Sequence, residues 1–508
     1  MPVSVTTAAE AAARDREAID AGTPEAELMR RAGAGAAAEI ARRYPSLARG
    51  RVAILTGPGN NGGDGWIVAG ELANSGASVR VTELSEPRSA TARAARDRAL
   101  SRVEVGSFEP APLVVDALVG TGARGGVEGE LARLISAVRS ARASGAAVVS
   151  LDVPSGLDAT TGEGRLCVIA DLTITFATLK RGLLAKRECA GAIVVVDIGL
   201  GQGDRAVTPH LVDAAWVHAR VPGIAPDSHK GTRRKLLIVG GQRGMAGATI
   251  IAARAALRSG IGMVRALVDD DSVSALQAAA PQAMAASWRE LDSADGASSA
   301  LEWADVVLMG PGLGRSTERR EMVERVLEAG RKPMILDADA LTLFTGRPTR
   351  LGELLGARPA LLTPHPVEFG LLAGIPLPDV VNGRYEVGQE LARTVRSVVL
   401  LKGVPTVITS PTGGRMVSAS GTPALATAGS GDMLAGIAAT LLGQMDDPLD
   451  AAACAAWVHG RAAELAQGAR RPRGVTLGDV NESLGEVWSE RVSEHPAGVL
   501  AELPALRS

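Results

Sequence analysis

Short apolar runs recur along the first half of the chain, separated by stretches of helical period. Such runs are typical of strands that are buried on both faces of a sheet. The stretches between them, such as Trp66 to Asn74 and Leu131 to Ala143, place apolar residues on one side of a helix. The alternation predicts a parallel sheet covered by helices on both faces. The predicted strands are Val52 to Leu55, Val79 to Val81, Leu113 to Val119, Ala146 to Leu151, Leu172 to Phe176 and Ile193 to Ile198.

The positions where this alternation of strands and helices begins and stops predict the limits of the domains. The leading segment, Thr6 to Tyr44, has helical period throughout, and we expect it to pack against the sheet. Around residues 219–233 the pattern gives way to prolines and a basic cluster, and a new strand begins at Lys235. We therefore predict a first domain over residues 1–218, a linker over 219–233 and a second domain over 234–508.

The second half repeats the alternation of strands and helices. Helices are predicted at Gly247 to Ser259 and Met322 to Glu328, and the segment from Val404 to Ser418 favours an antiparallel hairpin around PTGG. The fold class predicted for the whole chain is α/β, with a Rossmann-like parallel sheet sandwich followed by an α/β/α domain. The predicted strands are Lys235 to Val239, Val264 to Val268, Val306 to Met309, Met334 to Asp337, Leu361 to Leu362 and Val398 to Leu401.

Composition narrows the classes of partner. A chain of 508 residues is long enough for two cores, and 54 basic against 56 acidic residues give no general reason to expect nucleic acid or an anionic membrane. Three widely spaced cysteines suggest neither a disulfide framework nor a zinc site, and no uncharged apolar run has the length of a membrane span. A cytoplasmic protein is expected. A homo-oligomer is also expected; the small-residue helix Ala451 to Ala466 could form its interface, although core packing is the commoner reason for such a helix.

Three glycine-rich or acidic loops follow predicted strands of the first half. TGPGNNGGDG at 56–65 satisfies GxGxxG at Gly57, Gly59 and Gly62, and GTGARGG at 120–126 satisfies it again. LDVPSGLD follows at 151–158. Because the carboxyl ends of parallel strands meet at one edge, the three loops are expected to converge on a phosphate-bearing ligand held by bare backbone amides.

The polar residues of these loops are rich in oxygen and contain neither His nor Cys. Such a set suits a hard cation better than zinc. The alternative is that Asp116 and Asp152 only end their strands and cap their loops. The residues concerned are Asn60, Asn61, Asp64, Asp116, Asp152 and Ser155.

The motifs NNGGDG, DALVGTG, LDVPSGLD, TFATLKRGLL and VVDIGLG together resemble the YjeF N-terminal domain, the NAD(P)H-hydrate epimerase. The resemblance implies that Asp152 contacts the hydrated nicotinamide and that Asn61, Asp116 and Ser155 bind K⁺. It implies a dinucleotide phosphate site formed by Asn60, Asn61, Gly62, Gly63, Asp64, Gly120, Thr121, Gly122, Ala123, Arg124, Gly125 and Gly126.

Asp152 is a reasonable acid or base for this chemistry. The hydroxyl on a carbinolamine carbon must leave and return for its configuration to change, and each step moves a proton. Lys180 could be a second polar group of the site, but a lysine at a strand end is more often solvated.

The most informative stretch of the second half is GTPALATAGSGDMLAGIAATLLG at 421–443. Its two glycines and Asp432 stand at the start of a long apolar helix, whose free N–H groups and dipole favour an anion. A helix N-terminus lowers the basicity of a carboxylate, so Asp432 is expected to be a weak base. A plain helix cap is the alternative reading of this Asp.

The stretch resembles the ribokinase-like fold, and HKGTRRKLLIVGG, MGPGLG, ILDADAL, LTPHPVEF and LLKGVPTVI extend the likeness to the ADP-dependent NAD(P)H-hydrate dehydratase. The resemblance implies ADP as co-substrate, with the Mg²⁺ that nucleotide chemistry requires. It implies that the hydrate contacts Ala248, Gly312, Gly314, His365 and Asp432. The implied nucleotide site comprises Lys402, Gly403, Val404, Pro405, Thr406, Thr422, Thr427, Ala428, Gly429, Ser430 and Gly431.

The two resemblances imply one bifunctional repair enzyme. The first half would interconvert the R and S hydrates of NADH and NADPH, and the second would dehydrate the S form while ADP becomes AMP and phosphate. Asp152 and Asp432 are the expected catalytic residues. Two alternatives stay open: a small-molecule kinase fused to a dinucleotide-binding regulator, and a first half that binds without catalysing.

Overall fold

A computed structural model describes residues 3–122, 126–204, 207–491 and 495–506. The chain forms two compact units. Unit 1 comprises residues 1–204 with 494–507, and unit 2 comprises residues 205–493. These limits differ from the predicted ones at both ends of unit 2. Residues 207–218 add a short strand and helix to unit 2, and the C-terminal segment returns to unit 1.

Unit 1 alternates strands and helices as the apolar pattern predicted. Its strands, in chain order, are β1 (Val5–Thr6), β2 (Arg51–Thr56), β3 (Ser78–Glu83), β4 (Glu104–Val105), β5 (Leu113–Ala117), β6 (Ala147–Leu151), β7 (Leu172–Phe176), β8 (Leu179–Lys180) and β9 (Ala192–Val196). Its helices are α1 (Ala8–Asp20), α2 (Glu25–Arg43), α3 (Asn60–Asn74), α4 (Ala90–Ala99), α5 (Gly129–Ala143), α6 (Arg181–Ala185) and α7 (Arg187–Ala190).

Unit 2 has the same alternation with one antiparallel insertion. Its strands are β10 (His210–Leu211), β11 (Lys235–Val239), β12 (Met263–Val268), β13 (Met284–Ser287), β14 (Val306–Met309), β15 (Met334–Leu336), β16 (Ala360–Leu362), β17 (Val398–Leu401), β18 (Thr406–Thr409) and β19 (Arg415–Ser418). Its helices are α8 (Ala214–His218), α9 (Ala246–Arg258), α10 (Asp270–Ala279), α11 (Ala294–Trp303), α12 (Thr317–Ala329), α13 (Asp339–Thr342), α14 (Pro348–Leu355), α15 (Pro366–Ala373), α16 (Leu377–Asn382), α17 (Gly388–Val395), α18 (Ser430–Gln444), α19 (Pro448–Gln467) and α20 (Leu477–Ser489).

The main sheet of unit 1 is parallel except at one edge. Its strand order is β9, β7, β6, β5, β2, β3, β4, and the last strand of the chain, β20 (Val499–Leu503), pairs antiparallel with β9. The direction of winding reverses between β2 and β5, so a crevice opens beyond the carboxyl ends of these two strands. The α/β prediction for this half is confirmed, but β20 was not foreseen.

The leading segment of unit 1 is two helices instead of one. Helix α1 ends before Gly22, which has a φ of 103°, and α2 begins after Pro24, so the chain turns between them. The predicted packing is confirmed for α2. A Cβ placed on Gly35 would lie 2.5 Å from Val196 Cγ1 of β9, so the absence of a side chain there allows this close approach.

Unit 2 has a sheet in the order β10, β19, β18, β17, β16, β15, β14, β11, β12, β13. The predicted hairpin is confirmed, since β18 pairs antiparallel with both β17 and β19. The order in which strands are added to the sheet reverses between β11 and β14. This reversal places Gly240 and Gly241, which follow β11, beside MGPGLG at the end of β14. The amide of Gly241 donates to the carbonyl of Pro311 across this point at 2.9 Å.

Small residues allow two helices to cross at the centre of unit 2. A Cβ on Gly436 of α18 would stand 2.2 Å from the carbonyl oxygen of Ala252 of α9, so these backbones touch. Helix α19 is buried over most of its length, and Ala451 to Ala466 therefore belongs to the core. Among the described residues, none of the helices combines the length and the apolar character that a membrane crossing needs.

Candidate active sites

A cavity of about 590 Å³ opens at the switch point of unit 1. It lies beside the loops that follow β2, β5 and β6, as the three motifs predicted, and α1 and α2 supply further lining. Predicted site residues that line it are Asn60, Asn61, Asp64, Gly120, Thr121, Gly122 and Asp152. Ala123, Arg124 and Gly125 were also predicted to bind there, but they lie outside the described residues; Gly126 is exposed.

The N-terminus of helix α3 lines this cavity. Its first intrahelical bond runs from the amide of Gly63 to the carbonyl of Gly59 at 3.2 Å. Among the described residues, the backbone N–H groups of Asn60, Asn61 and Gly62 have no backbone acceptor. Three free donors and the positive end of the helix dipole favour a phosphate at this position.

Most glycines of TGPGNNGGDG are required by contacts within the protein, and not by the close approach of a ligand as expected. A Cβ on Gly57 would lie 1.7 Å from the carbonyl oxygen of Leu118, and one on Gly62 would lie 1.8 Å from that of Gly57. Only Gly59 faces open space in this loop. The expectation that the glycines leave room for a ligand is therefore corrected, since most of them allow the β2 and β5 loops and neighbouring helices to pack together.

Asp152 and Lys180 form a buried ion pair at the floor of the cavity. Lys180 Nζ lies 2.7 Å from Asp152 Oδ1 and donates to Thr175 Oγ1 and to the carbonyl of Phe176, each at 3.0 Å. Burial by itself would raise the pKa of Asp152, but the Lys180 ammonium and the hydrogen bonds from Lys180, Thr121 and Thr175 hold that pKa below its usual value. Asp152 is therefore ionised, and Lys180 is a buried member of the site.

Asp116 and Ser155 lie beneath this floor. Ser155 Oγ donates to Asp116 Oδ1 at 2.5 Å, and the Ser155 amide donates to Oδ2 at 2.9 Å. Both side chains are fully buried. Neither the amide nitrogen nor the amide oxygen of the nearby Asn61 has a hydrogen-bond partner although both are buried, which is the environment that an ion or a water would satisfy.

Asp64 is the second buried carboxyl of the cavity. Burial raises the pKa of Asp64 well above its usual value, and the neighbouring Asp152 and Asp15 carboxylates raise it further. Gly62 and Gly63, adjacent predicted ligand residues in the same turn, are buried, and a Cβ on either would meet protein atoms. The surroundings thus favour the ionised form of Asp152 and the neutral form of Asp64.

In unit 2, helix α18 begins at the turn around Gly429. Gly429 has a φ of 90°, and a Cβ there would also meet Ile251 Cδ1 at 2.7 Å. The Ser430 amide donates to the carbonyl of Thr427 at 3.3 Å. The amides of Gly431 and Asp432 have no backbone acceptor in the described part of the chain, so the free donors lie at 431–432 instead of the predicted 429–431.

Lys402 begins the predicted nucleotide loop, but its side chain extends under the turn at the start of α18. Its Nζ is 2.9 Å from Asp337 Oδ1, 3.9 Å from Glu368 Oε2 and 3.2 Å from where a Cβ of Gly431 would stand. Burial would lower the pKa of Lys402, but the Asp337, Glu368 and Asp432 carboxylates raise it, so the ammonium stays charged.

Asp432 differs from the expected weak base. Burial raises its pKa to about 7, and the Asp337 carboxylate adds to the rise, while Lys402 opposes it. Desolvation therefore outweighs the helix dipole, because the nearest cation is already engaged by Asp337. A carboxyl that titrates near neutral pH is suited to accept a proton from a substrate hydroxyl.

The two histidines near this site have structural partners. His365 Nδ1 accepts hydrogen bonds from the amides of Val367 and Glu368 at 3.1 and 3.3 Å, so it caps α15, while Nε2 lies 3.4 Å from Glu368 Oε1. His459 Nε2 lies 3.4 Å from Ser430 Oγ, and burial lowers its pKa to about 4. A neutral His459 supports the turn from below, a role that the sequence did not reveal.

The other predicted residues of unit 2 surround this turn less tightly. A Cβ on Gly312 would lie 3.3 Å from Ala248 Cβ, so these two predicted hydrate contacts are neighbours. The Gly314 amide donates to Asp339 Oδ2 at 2.9 Å, and Arg315 pairs with the same carboxylate. The predicted nucleotide residues Gly403, Val404, Pro405, Thr406, Thr422, Thr427 and Ala428 lie in or next to loops at the ends of β17 and β19 and before α18.

Asp337 and Glu368 are the residues that the sequence reasoning missed. Both belong to motifs that were recognised, ILDADAL and LTPHPVEF; Asp337 directly follows β15, and Glu368 lies in the first turn of α15, the helix after β16. Their positions after β15 and β16 were the available signal, because neighbouring parallel strands bring such side chains together. Among the described residues, no group of three His, Cys, Asp or Glu side chains is arranged to hold a metal.

Family models match both halves of the chain. Residues 25–182 match the family described as YjeF-related protein N-terminus, and residues 236–484 match the family described as NAD(P)H-hydrate dehydratase. The two matches fall within unit 1 and unit 2, respectively.

Relatives with both halves are also found. The bifunctional NAD(P)H-hydrate repair enzyme of Moorella thermoacetica is 36% identical over 91% of this chain and 92% of its own length. That of Escherichia coli K12 is 35% identical over 94% of this chain and 93% of its own length. An ADP/ATP-dependent NAD(P)H-hydrate dehydratase of Bacillus subtilis, crystallised with ATP and Mg²⁺, is 30% identical with a TM-score of 0.49 and covers 55% of this chain and 96% of its own.

Proposed function

Since the chain belongs to the family of bifunctional NAD(P)H-hydrate repair enzymes, we propose that it repairs hydrated NADH and NADPH in two steps. Unit 1 interconverts the R and S hydrates. Unit 2 removes water from the S hydrate while ADP is converted to AMP and phosphate. The observation that carries the proposal is that each unit places free helix-terminal amides beside an aspartic acid, buried in unit 1 and half-buried in unit 2.

For unit 1 we propose that the α3 amides bind the pyrophosphate of the substrate and that Asp152 faces the hydrated ring. The ion pair with Lys180 fixes the Asp152 carboxylate and keeps it able to accept a proton. A rigid acceptor at the cavity floor reduces the reorganisation that the transition state requires.

K⁺ would be held near Asn61, Asp116 and Ser155. The unpartnered amide oxygen of buried Asn61 fits a hard cation, and Asp116 supplies a carboxylate beside Ser155. When bound, K⁺ would supply positive charge next to the phosphate-binding end of α3. Loss of K⁺ is therefore expected to weaken substrate binding more than the proton transfers.

For unit 2 we propose that the hydrate hydroxyl becomes a phosphate ester and is then eliminated. Hydroxide is a poor leaving group, and phosphate is a better one. The amides of Gly431 and Asp432 and the Lys402 ammonium surround the position of the transferred phosphoryl group, and Asp432 accepts the hydroxyl proton. Asp337, Asp339 and Glu368 are engaged by basic side chains or a helix cap, so Mg²⁺ would enter with the nucleotide.

The test is an absorbance assay on purified hydrates. The S hydrate of NADH with ADP should regain the dihydronicotinamide absorbance band, and the R hydrate should do so only as fast as it is epimerised. ATP replaces ADP in a parallel reaction, and sugars with ATP test for kinase activity. No recovery of the band with either nucleotide, together with phosphate transfer to a sugar, would overturn the proposal.

A further inference from the structure

The described residues that line the cavity of unit 1 include two buried aspartic acids and a single lysine. Asp152 and Asp64 both line the cavity, and both have less than a tenth of their surface exposed. Lys180 lies against Asp152. The function of the second carboxyl is not explained by phosphate binding, since a buried carboxyl beside an anion is unfavourable unless it carries a proton.

Lys180 cannot neutralise both carboxylates. An ammonium group has three donors, and those of Lys180 are directed to Asp152 Oδ1, Thr175 Oγ1 and the Phe176 carbonyl. Asp152 receives further hydrogen bonds from the Thr121 amide and the Thr175 hydroxyl. In the described part of the chain, no hydrogen bond stabilises an ionised Asp64.

The other charged groups around the cavity do not change this balance. Helix α1 supplies Arg14 and Asp15, α2 supplies Glu25, and Arg88 follows β3. Arg14 Nη2 donates to the Gly201 carbonyl at 2.7 Å, and Glu25 accepts from the Asn60 side chain at 2.9 Å. The groups that act on Asp64 are the Asp152 and Asp15 carboxylates, which favour its neutral form, and the Lys180 ammonium, which opposes them.

We propose that Asp64 is the acid and Asp152 the base of a two-residue proton transfer that inverts the hydrate. This inference rests on the proposed epimerase function of unit 1 and names the second catalytic residue of that site. Both carboxyls line the cavity, Asp64 from the first turns of α3 and Asp152 from the end of β6. Their origin on different elements allows them to contact a bound ring from different sides.

The chemistry balances with these two groups and water. The hydrate carries its hydroxyl on the carbon that is bonded to the ring nitrogen. The Asp64 proton passes to the hydroxyl oxygen, the C–O bond breaks, the nitrogen lone pair forms a C=N bond, and water leaves. Water then adds to the opposite face, the C=N pair returns to nitrogen, and the proton lost by the water passes to Asp152. Exchange with solvent then removes the proton from Asp152 and supplies one to Asp64.

The inference is tested with Asp64→Asn in the full-length protein. Asparagine keeps the shape and a hydrogen-bond donor but cannot transfer a proton, so the rate of R-to-S interconversion should fall by about 10²–10⁴-fold. Dehydration of the pure S hydrate in unit 2 should be unchanged, which reports that the variant is folded. Binding of intact NADPH, followed by its fluorescence, should also be retained.

Two further variants make the test specific. Asp64→Glu keeps a carboxyl and should recover part of the rate, while Asp97→Asn, an exposed substitution on α4, should behave as the wild type. In the wild type the rate of interconversion should fall as pH rises, because Asp64 loses its proton. In Asp64→Asn this decrease with pH should be absent. The inference is overturned if Asp64→Asn keeps the wild-type rate and pH profile, or if its slower reaction is explained by lost NADPH binding. Absence of interconversion by the wild type would instead refute the epimerase function itself.

Discussion

The two sites use the same three kinds of group, namely free helix amides, a lysine and buried carboxyls, but they distribute the charge differently. In unit 1 the lysine contacts the proposed catalytic carboxylate directly, since Lys180 Nζ is 2.7 Å from Asp152. In unit 2 the corresponding contact, at 2.9 Å, is between Lys402 and Asp337, and among the described residues Asp432 forms no ion pair of its own. The pKa of Asp152 is therefore lowered, and that of Asp432 is raised to about 7.

The difference shows that the partner of a buried carboxyl determines its protonation more than its position on the fold does. Asp152 ends a strand, and Asp432 stands in the first turn of a helix, where the dipole would favour the ionised form. Burial reverses that preference at Asp432. One unit thus holds an ionised acceptor, and the other holds a group that changes charge within the neutral range.

The largest expected effect comes from breaking the pair in unit 1. Asp152→Asn leaves the Lys180 ammonium buried without its anion, which should cost about 3–5 kcal/mol in the free energy of unfolding. Interconversion of the hydrates should fall by about 10²–10⁴-fold. Chemical denaturation and the epimerisation assay measure the two losses, with dehydration of the S hydrate as the control for unit 2.

A double variant separates stability from catalysis in this pair. Asp152→Asn with Lys180→Met should recover much of the lost stability, because no unpaired charge stays buried, and it should recover none of the activity. Lys186→Met is the matched control, since Lys186 forms an exposed pair with Glu188 at 3.0 Å and its loss should cost about 1 kcal/mol or less. Equal destabilisation by Lys186→Met would contradict this account of the pair.

The next largest effect concerns the unpartnered carboxyl of unit 2. Asp432→Asn removes the proposed base and should lower the dehydration rate by about 10²–10⁴-fold while epimerisation continues. In the wild type the rate should rise with pH through about 7, because the ionised form of Asp432 is the acceptor. A pH-independent rate between pH 6 and 8, measured with saturating ADP, would contradict the assignment.

The same pKa predicts a stability effect of known sign. A raised pKa in the folded state means that native Asp432 binds its proton more tightly than the unfolded chain does. The contribution of Asp432 to stability is therefore present at acid pH and is lost as pH rises through about 7. Asp432→Asn should remove this dependence, so its unfolding free energy should exceed that of the wild type only on the alkaline side.

The strands and the loops that carry the sites could be predicted from the sequence because both are local. Continuous apolar runs gave β2, β5 and β11, and the glycine and aspartate motifs gave the loops that follow them. Strand β13 reads MAAS and is incompletely buried, and β20 pairs with a strand about three hundred residues earlier, so neither has a local signal.

Charge pairing in the sites could not be predicted in the same way. Lys402 pairs with Asp337 and not with Asp432 because of the way the strand ends are arranged in the sheet. Lys402 and Asp337 are 65 positions apart in the sequence. Burial decides the direction of the Asp432 pKa, and burial is a property of the packed unit. The motif identified the carboxyl but not its protonation state.

A smaller effect is expected from a substitution that would let Lys402 act on Asp432 as Lys180 acts on Asp152. Asp337→Asn removes the partner of Lys402 and one cause of the raised Asp432 pKa, so the ammonium can act on Asp432 instead. The pH at which the dehydration rate reaches half its maximum should fall by about one unit. Glu328→Gln, an exposed substitution on α12, is the control and should leave that pH unchanged. An unchanged or higher midpoint in Asp337→Asn would show that Lys402 does not control Asp432.

The smallest expected effect concerns the glycines that precede α3 and α18, the two helices proposed to bind anions. Gly59 precedes α3 with a φ of −92° and open space around it, whereas Gly429 precedes α18 with a φ of 90° and Ile251 close by. Serine is a good N-cap residue at the first backbone geometry but is strained at the second. Gly59→Ser should therefore change the unfolding free energy by only a few tenths of a kcal/mol, and Gly429→Ser should lower it by about 1–2 kcal/mol. Denaturation monitored by the activity of each unit distinguishes the two, and similar losses in both variants would mean that the turns are held by their ligands instead of by their backbone geometry.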